Sequence, residues 1–340
     1  MPHTIILENV PRLGFEVNEH LCPFPGSLYA YLQYTGAPQD YDYLMGITGA
    51  AFYRFWNRDD GGNIDLSNLG DEPFRRIFDA LGYAWHKVPA EKEAMIQAIK
   101  ASLAQGRPAI SFGIVGPPEA GLVTGYAEDG AVVYGWSYFQ EPSEHYYEKR
   151  DWFETMDKNG DKGLIIVGDK LPTHPAPRDV LIRSLEWAIT LERTAHWPTC
   201  PDHAAGLAAF DAWADALEVD ADYPADNAEV LETRVMVHGD QSTILYERCS
   251  AARYLRKMAE VAPETAAPLT AAAALYDAAS EPGAAKLWPW GYLDPSDPKA
   301  QQGIANPATR REMAGLIRAS RAKEAEAVEH LEAALAILRR

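Results

Sequence analysis

The 340-residue chain has only three cysteines, and its 31 basic residues are outnumbered by 49 acidic ones. Cys22, Cys200 and Cys249 lie far apart and are odd in number, which does not indicate a disulfide framework and fits reduced thiols. The formal net charge of −18 makes nonspecific binding to nucleic acid or to an anionic membrane unfavourable. We therefore expect a cytoplasmic protein whose partner is neither nucleic acid nor a membrane.

Several signatures of common function classes are also missing. No segment approaches the roughly 18 apolar residues of a membrane span, and the amino terminus lacks the regions of a signal peptide. There is no Gly-rich phosphate loop and no Gly-x-Ser-x-Gly elbow. His196, Cys200 and His203 lie close together in the sequence, but the doubled cysteine pairs of a structural zinc site are absent. We therefore predict no metal and no cofactor.

The patterns that are present divide the chain into two parts. Residues 1–172 mix helix and strand patterns, whereas 177–340 predict almost only helices, and a Pro-rich stretch separates the two. Glu128-Asp-Gly130 is typical of a hairpin. In the first part we predict helices over 27–33, 41–55 and 91–105, and strands over 109–115, 121–127, 131–138 and 163–168. The expected fold class is α+β, with helices packed on an antiparallel sheet, followed by an all-helical domain.

Cys22 stands directly before a predicted helix, in the sequence Cys-Pro-Phe-Pro-Gly-Ser. A thiol at a helix start is close to the positive end of the helix dipole and to unpaired backbone N–H groups, and both favour the thiolate. The thiolate is the form that acts as a nucleophile. The alternative is that Cys22 is a small buried hydrophobic residue, which is the usual environment of a free cysteine.

Aromatic residues are concentrated between positions 134 and 153. Trp136 and Tyr138 alternate along a predicted strand and therefore share one face. This face is either part of the core or the wall of a pocket for a small molecule. His145 follows the aromatic strand and His20 lies two residues before Cys22, so either imidazole could supply a base or could make only structural contacts.

The order of these segments resembles the papain-like cysteine peptidase fold. The resemblance rests on His20-Leu-Cys22, the segment 27–36, Gly106-Arg-Pro-Ala-Ile-Ser111 and Gly121-Leu-Val-Thr-Gly-Tyr126. It is closest to the bacterial branch that contains bacteriocin-processing peptidases and butirosin biosynthesis protein H-like acyltransferases. The helical second part, with residues 248–255, is similar to the carboxyl-terminal half of the butirosin-type proteins. The resemblance implies a papain-like domain over 1–172 and a helical domain over 177–340, with Cys22 as the nucleophile.

The same resemblance implies where the partners of the nucleophile lie. The family's histidine is expected at the start of the strand that ends in Gly-Tyr, and Glu119 occupies that position. The orienting Asp or Asn is expected near the end of the next strand, where the chain has Gly-Trp-Ser-Tyr at 135–138. The amide that would bind the oxyanion is expected at Glu16, with Asn18 nearby. Three of the four family positions therefore depart from the pattern.

Two functions follow as hypotheses. The first is a cysteine-dependent hydrolase or acyltransferase acting on an amide or thioester of a small molecule, with Cys22 as nucleophile and Glu119 as acid, base or orienting group. The second is a catalytically degenerate papain-like module that binds a small ligand between the two domains. The residues predicted to bind the substrate or ligand are Glu16, Asn18, His20, Trp136, Tyr138 and His145. The substrate, the direction of acyl flow and the oligomeric state stay open.

Overall fold

The structure of the protein, a computed structural model, describes residues 4–18, 20–59, 66–141, 145–157, 163–287 and 294–340. The chain divides into two units. Unit 1 comprises Met1–Leu44 and Phe74–Pro175, and unit 2 comprises Met45–Pro73 and Ala176–Arg340. None of the helices in the described ranges combines the length and the apolar character of a transmembrane span.

Helices form most of the regular structure, and they dominate the carboxyl-terminal half. In chain order they are α1 Phe15–Asn18, α2 Pro23–Tyr34, α3 Tyr41–Thr48, α4 Glu72–Leu81, α5 Lys92–Ala104, α6 Trp152–Asp157, α7 Pro177–Arg193, α8 Gly206–Leu217, α9 Ala228–Tyr246, α10 Arg248–Val261, α11 Ala266–Pro282, α12 Pro298–Ala305 and α13 Pro307–Leu338. The predicted helical character of the second part is therefore confirmed.

The strands form two sheets. In chain order they are β1 Ile5–Ile6, β2 Phe55–Trp56, β3 Tyr83–Val88, β4 Ala109–Phe112, β5 Ala120–Ala127, β6 Val132–Trp136, β7 Tyr147–Lys149, β8 Leu164–Lys170, β9 His196–Trp197 and β10 Cys200–Ala205. The larger sheet has the order β3-β8-β4-β5-β6-β7, with β1 pairing with β5, and every pairing in it is antiparallel. The predicted α+β class with an antiparallel sheet is confirmed.

The hairpin between β5 and β6 turns where the sequence predicts. Glu128, Asp129 and Gly130 have φ values of 50°, 58° and 99°, a backbone region that aspartate and glycine enter more readily than most residues. Gly130 accepts a hydrogen bond from the Trp152 indole N–H at 3.1 Å. The turn is therefore held by a side chain 22 residues away as well as by its own conformation.

The core of unit 1 lies between the sheet and α5. Met95, Ile99 and Leu103 follow one another at spacings of four residues on α5, and all three are buried. They pack with side chains of the sheet such as Val123 and Leu164. Helix α5 stops before Gly106, which has a φ of 72°, and Pro108 follows.

Unit 2 contains a segment that the sequence analysis assigned to the first domain, namely Met45–Pro73. Three kinds of contact hold this segment in unit 2. Strand β2 pairs with β10, the Trp187 indole donates to the Thr48 carbonyl at 3.0 Å, and Arg54 donates to Gln241 at 2.7 Å. The long helix predicted over 41–55 is wrong in its second half, because it ends at Thr48 and Gly49 follows with a φ of 87°.

Unit 2 also contains strands, although only helices were predicted there. Strands β9 and β10 pair with each other, and β2 completes a small antiparallel sheet in the order β2-β10-β9. The rest of the unit is a helical assembly in which the long helix α13 packs against α7, α8 and α11. Its apolar core includes Phe210, Trp213, Val235 and Ile317.

Candidate functional site

Cys22 occupies the position immediately before α2. It has the extended backbone of a helix cap (φ −91°, ψ 113°), but its side chain makes no capping hydrogen bond. Its N–H donates to the Tyr41 hydroxyl oxygen at 3.0 Å. The residue is 6% exposed. Since Pro23 and Pro25 have no N–H, this helix start offers fewer backbone donors to an anion than most.

Aromatic rings surround the backbone of Cys22. The His20 ring lies parallel to the Tyr41 ring, with centroids 3.9 Å apart and an interplanar angle of 9°. The Tyr29 ring meets His20 edge-on at 4.6 Å. The imidazole is therefore fixed between two phenol rings, one of which also binds the Cys22 backbone.

The hydroxyl of Tyr138 reaches α2 at Gly26. A Cβ placed on Gly26 would overlap this hydroxyl oxygen and would lie 3.6 Å from the His20 Cβ. The Tyr138 ring also contacts Phe15, with centroids 5.0 Å apart. Glycine at position 26 therefore lets the chain just after the β6 strand approach the first turn of α2, and it brings Tyr138 into the surroundings of His20.

We expect Gly26→Ala to destabilise the protein by roughly 1–3 kcal/mol, since the added methyl group overlaps the Tyr138 hydroxyl in a tightly packed region. The free energy of unfolding, measured by urea denaturation, tests this. In a Tyr138→Phe background the nearest ring atom is 2.9 Å from the new Cβ, so the same substitution should cost less. An equal cost in both backgrounds would contradict the contact.

Glu119 lies in the corner that leads into β5. The Phe24 ring of α2 faces the Phe112 ring at the end of β4, with centroids 6.4 Å apart. Phe112 pairs in register with Ala120, the residue after Glu119. The Gly113 N–H donates to the Glu119 carbonyl at 3.1 Å. These contacts place the start of α2 and the half-buried Glu119 at the same end of β4 and β5.

Trp136 and His145 belong to a different cluster. The Trp136 indole donates to the Val10 carbonyl at 3.0 Å, and the Arg12 guanidinium lies over its ring at 5.7 Å. Tyr146 and His145 pack against Trp136 at 4.8 Å and 5.6 Å. Trp136 is 5% exposed. These contacts favour the packing interpretation of Trp136 and connect it to residues 10–12.

Glu16 and Asn18 lie in the short helix α1. The Glu16 carboxylate is half exposed and lies 3.4 Å from the Arg12 guanidinium. An ionised carboxylate only accepts hydrogen bonds, so Glu16 cannot replace the amide that donates to an oxyanion. The Asn18 side chain lies outside the described residues.

This chain matches no protein-family model and no curated protein. Among the side chains that the structure describes, no three His, Cys, Asp or Glu residues gather closely enough to hold a metal ion. The site must therefore be interpreted from its own side chains.

The sequence analysis missed Tyr41, which opens α3. Its hydroxyl oxygen accepts the Cys22 N–H, and a phenol hydroxyl carries a proton that it can donate as well. A carbonyl oxygen close to the thiol could receive that proton as a hydrogen bond. The contact joins residues 19 apart across the turn between α2 and α3, and no pattern in the sequence indicated it.

Proposed function

We propose that the protein is a papain-like cysteine hydrolase or acyltransferase, with the Cys22 thiolate attacking an amide or thioester of a small molecule. The observation that supports this most is the position of Cys22. It begins a helix that packs on the antiparallel sheet, at the end of β4 and β5 where Glu119 lies. A nucleophile at a helix start with an acid or base on the adjoining strand is the arrangement that acyl transfer by cysteine requires.

The roles of the remaining groups follow from their chemistry. The thiolate adds to the carbonyl carbon, and the leaving amine or thiol must then receive a proton. A protonated Glu119 could donate it, whereas an ionised Glu119 close to the sulfur would disfavour the thiolate. His20 is the nearest imidazole in the sequence, and the Tyr41 hydroxyl is the candidate donor to the oxyanion.

A second candidate is a catalytically degenerate module of the same fold that binds a small ligand without covalent chemistry. Two observations favour it. The thiol is almost completely buried, and the Cys22 N–H, which would otherwise be free for an oxyanion, is bound to Tyr41. In this case the aromatic cluster around His20 would contact the ligand.

Alkylation by iodoacetamide, followed by peptide mass spectrometry, separates the two candidates. A working nucleophile at Cys22 should react at least about tenfold faster near neutral pH than Cys249, although Cys249 is the more exposed of the two. The rate at Cys22 should also persist at pH 6, where an ordinary thiol reacts about tenfold more slowly than at pH 7. Slower labelling of Cys22 than of Cys249 would favour the binding module.

Glu119→Gln tests the partner of the thiol. An ionised Glu119 that acts on the thiol raises the pKa of Cys22, so removing its charge should speed alkylation of Cys22 several-fold, because the thiolate becomes easier to form. Glu16→Gln is the matched control, since that carboxylate is half exposed and paired with Arg12. If both variants leave the rate unchanged, Glu119 places no negative charge beside the thiol.

A further inference from the structure

Three arginines of unit 2 are fully buried, namely Arg54, Arg248 and Arg310. In Arg248 and Arg310, every side-chain nitrogen has an acceptor. The acceptors for Arg248 are the Glu324 carboxylate and the carbonyls of residues 51–53. The acceptors for Arg310 are the Asp220 carboxylate and the carbonyls of Leu217, Ile304 and Ala305. Complete pairing is the rule for buried polar groups, because an unpaired donor loses its water without compensation.

Arg54 departs from this rule. Its Nη1 donates to the side-chain and backbone oxygens of Gln241 at 2.7 Å and 3.3 Å. Its Nε and Nη2 are buried and have no acceptor among the residues that the structure describes. The rings of Phe210 and Trp213 cover the guanidinium, with centroids 4.2 Å and 5.2 Å from Cζ. The N–H groups that lack an acceptor therefore point outwards in the guanidinium plane, along the edge that Nε and Nη2 form.

Two further donors without an acceptor lie beside Arg54. The indole nitrogens of Trp56 and Trp213 are both buried, and neither has an acceptor within the described part of the chain. Trp56 is the second residue of strand β2 and Arg54 directly precedes this strand, so their side chains are expected on the same side of the chain. The two indole rings are 6.1 Å apart. Unpaired donors from three residues are thus concentrated in one part of the core.

The carboxyl groups of the same region do not satisfy Arg54. Arg54 and Arg248 are cations, and the carboxyl groups close to them belong to Glu192 and Glu324. Oε2 of each glutamate has no donor, and burial and the charge of Glu324 raise the pKa of Glu192 well above its ordinary value. The Glu192 carboxyl therefore holds a proton more readily than a free carboxyl, which reduces the negative charge that faces the two arginines. Burial lowers the pKa of His238 to about 4, so this neighbour of Trp213 is neutral at pH 7.

We propose that the Nε and Nη2 edge of Arg54 binds a small monovalent anion, with the indole N–H groups of Trp56 and Trp213 as further donors. A carboxylate fits best, because its two oxygens match the two parallel N–H bonds of this edge. A halide ion is also a monovalent anion that accepts hydrogen bonds, but it offers one acceptor atom instead of two. The anion supplies acceptors for these donors together with a negative charge beside the buried guanidinium, whereas a water molecule supplies only acceptors. This site is independent of the function proposed for Cys22.

Thermal unfolding of the full chain tests the site in solution. The protein is dialysed into sodium gluconate, whose anion is too bulky for a closed core, and is then titrated with sodium formate or sodium bromide at constant ionic strength. We expect a saturable rise in Tm of roughly 5 °C, as for a ligand that binds only the folded state. Arg54→Met should abolish the response, whereas Arg310→Lys, the matched buried arginine, should retain it.

Diffraction from crystals grown in sodium bromide identifies the occupant. We expect an anomalous peak within hydrogen-bonding distance of Arg54 Nε and Nη2, and formate should replace it in crystals grown in formate. A water molecule at this position in both crystals, together with equal Tm values in formate, bromide and gluconate, would overturn the proposal. If Arg54→Met does not fold, Trp213→Phe, which removes one indole donor, should reduce the Tm response to formate and serves in its place.

Discussion

Replacing Arg248 by methionine is expected to lower the free energy of unfolding by about 3–5 kcal/mol. The guanidinium is fully buried and donates to the Glu324 carboxylate at 2.9 Å. It also donates to the carbonyls of Ala51, Phe52 and Tyr53 at 3.1 to 3.2 Å. Methionine fills part of the volume, but it leaves a buried carboxylate without its cation and these carbonyls without donors.

Arg318 provides the control for this prediction. It contacts Asp215 and Glu218 at 2.7 Å, but its side chain is 40% exposed. We expect Arg318→Met to cost less than about 1 kcal/mol, because water screens the pair and solvates the carboxylates that remain. Urea denaturation followed by circular dichroism compares the two variants. Similar losses for both would show that the buried position of Arg248 is not what makes it important.

Adding Glu324→Leu to Arg248→Met separates two contributions to the lost stability, namely the unpaired carboxylate and the carbonyls left without donors. The double variant no longer buries an unpaired carboxylate, so it should recover part of the stability. The recovery should be incomplete, because the carbonyls of residues 51–53 still lack their donors. Complete recovery would mean that Arg248 contributes through its charge pair and not by holding this segment of the chain.

Elements with a local signal are the ones that the sequence predicts well. Helix α5 is predicted over 91–105 and is found at Lys92–Ala104. Its buried residues recur at helical spacing, and Gly106 ends it, so both its face and its end are determined within 15 residues. The hairpin at Glu128–Gly130 is similar, since residues that tolerate positive φ fill the turn.

The assignment of residues 45–73 to unit 2 was not predictable from such signals. It depends on Arg248 and Trp187, which bind this segment from positions more than 130 residues away. Strand β10 has the sequence Cys-Pro-Asp-His-Ala-Ala, which contains no β-branched residue and therefore does not indicate a strand. It becomes a strand because it pairs with β2 and β9.

In the candidate site, too, local features could be predicted from the sequence, whereas contacts between distant elements could not. The sequence before Pro23 indicates a helix start, and Cys22 does precede α2. The contact between Cys22 and Tyr41 and the approach of Tyr138 to Gly26 arise only when separate elements pack. The anion site is harder still, because Arg54 looks like an ordinary surface arginine until its burial and its pairing are known.

Glu192→Gln is expected to stabilise the protein increasingly with pH for as long as the folded natural protein keeps the Glu192 proton, and the two proteins are compared from pH 7 to 9. Burial and Glu324 raise the pKa of Glu192 well above its ordinary value of 4.5, so the folded state holds a proton that the unfolded state releases. This proton stabilises the folded state fully at pH values below the ordinary pKa of 4.5. The stabilisation is lost as the pH rises towards the raised pKa of Glu192 in the folded protein. The loss amounts to about 1.4 kcal/mol per pH unit for one proton. Glutamine has no proton to lose, and it can still accept from the Tyr276 hydroxyl, which lies 3.2 Å from the Glu192 carboxylate.

The pH window makes this measurement specific. Burial raises the pKa of Asp240 to about 6 and lowers that of His238 to about 4, so both groups have their final charge above pH 7 in the folded protein. The other groups that face Glu192 are Glu324, Arg248, which stays charged, and Tyr276, whose pKa is raised by burial and which stays neutral. Burial lowers the pKa of Arg54, which also interacts with Glu192, to about 9, so the gain is assigned to Glu192 only in the lower part of this window. Glu186→Gln, on the same helix but beside Arg339 at the surface, is the control and should show no pH-dependent gain. A constant difference between Glu192→Gln and the natural protein from pH 7 to 9 would mean that Glu192 is already ionised in the folded state.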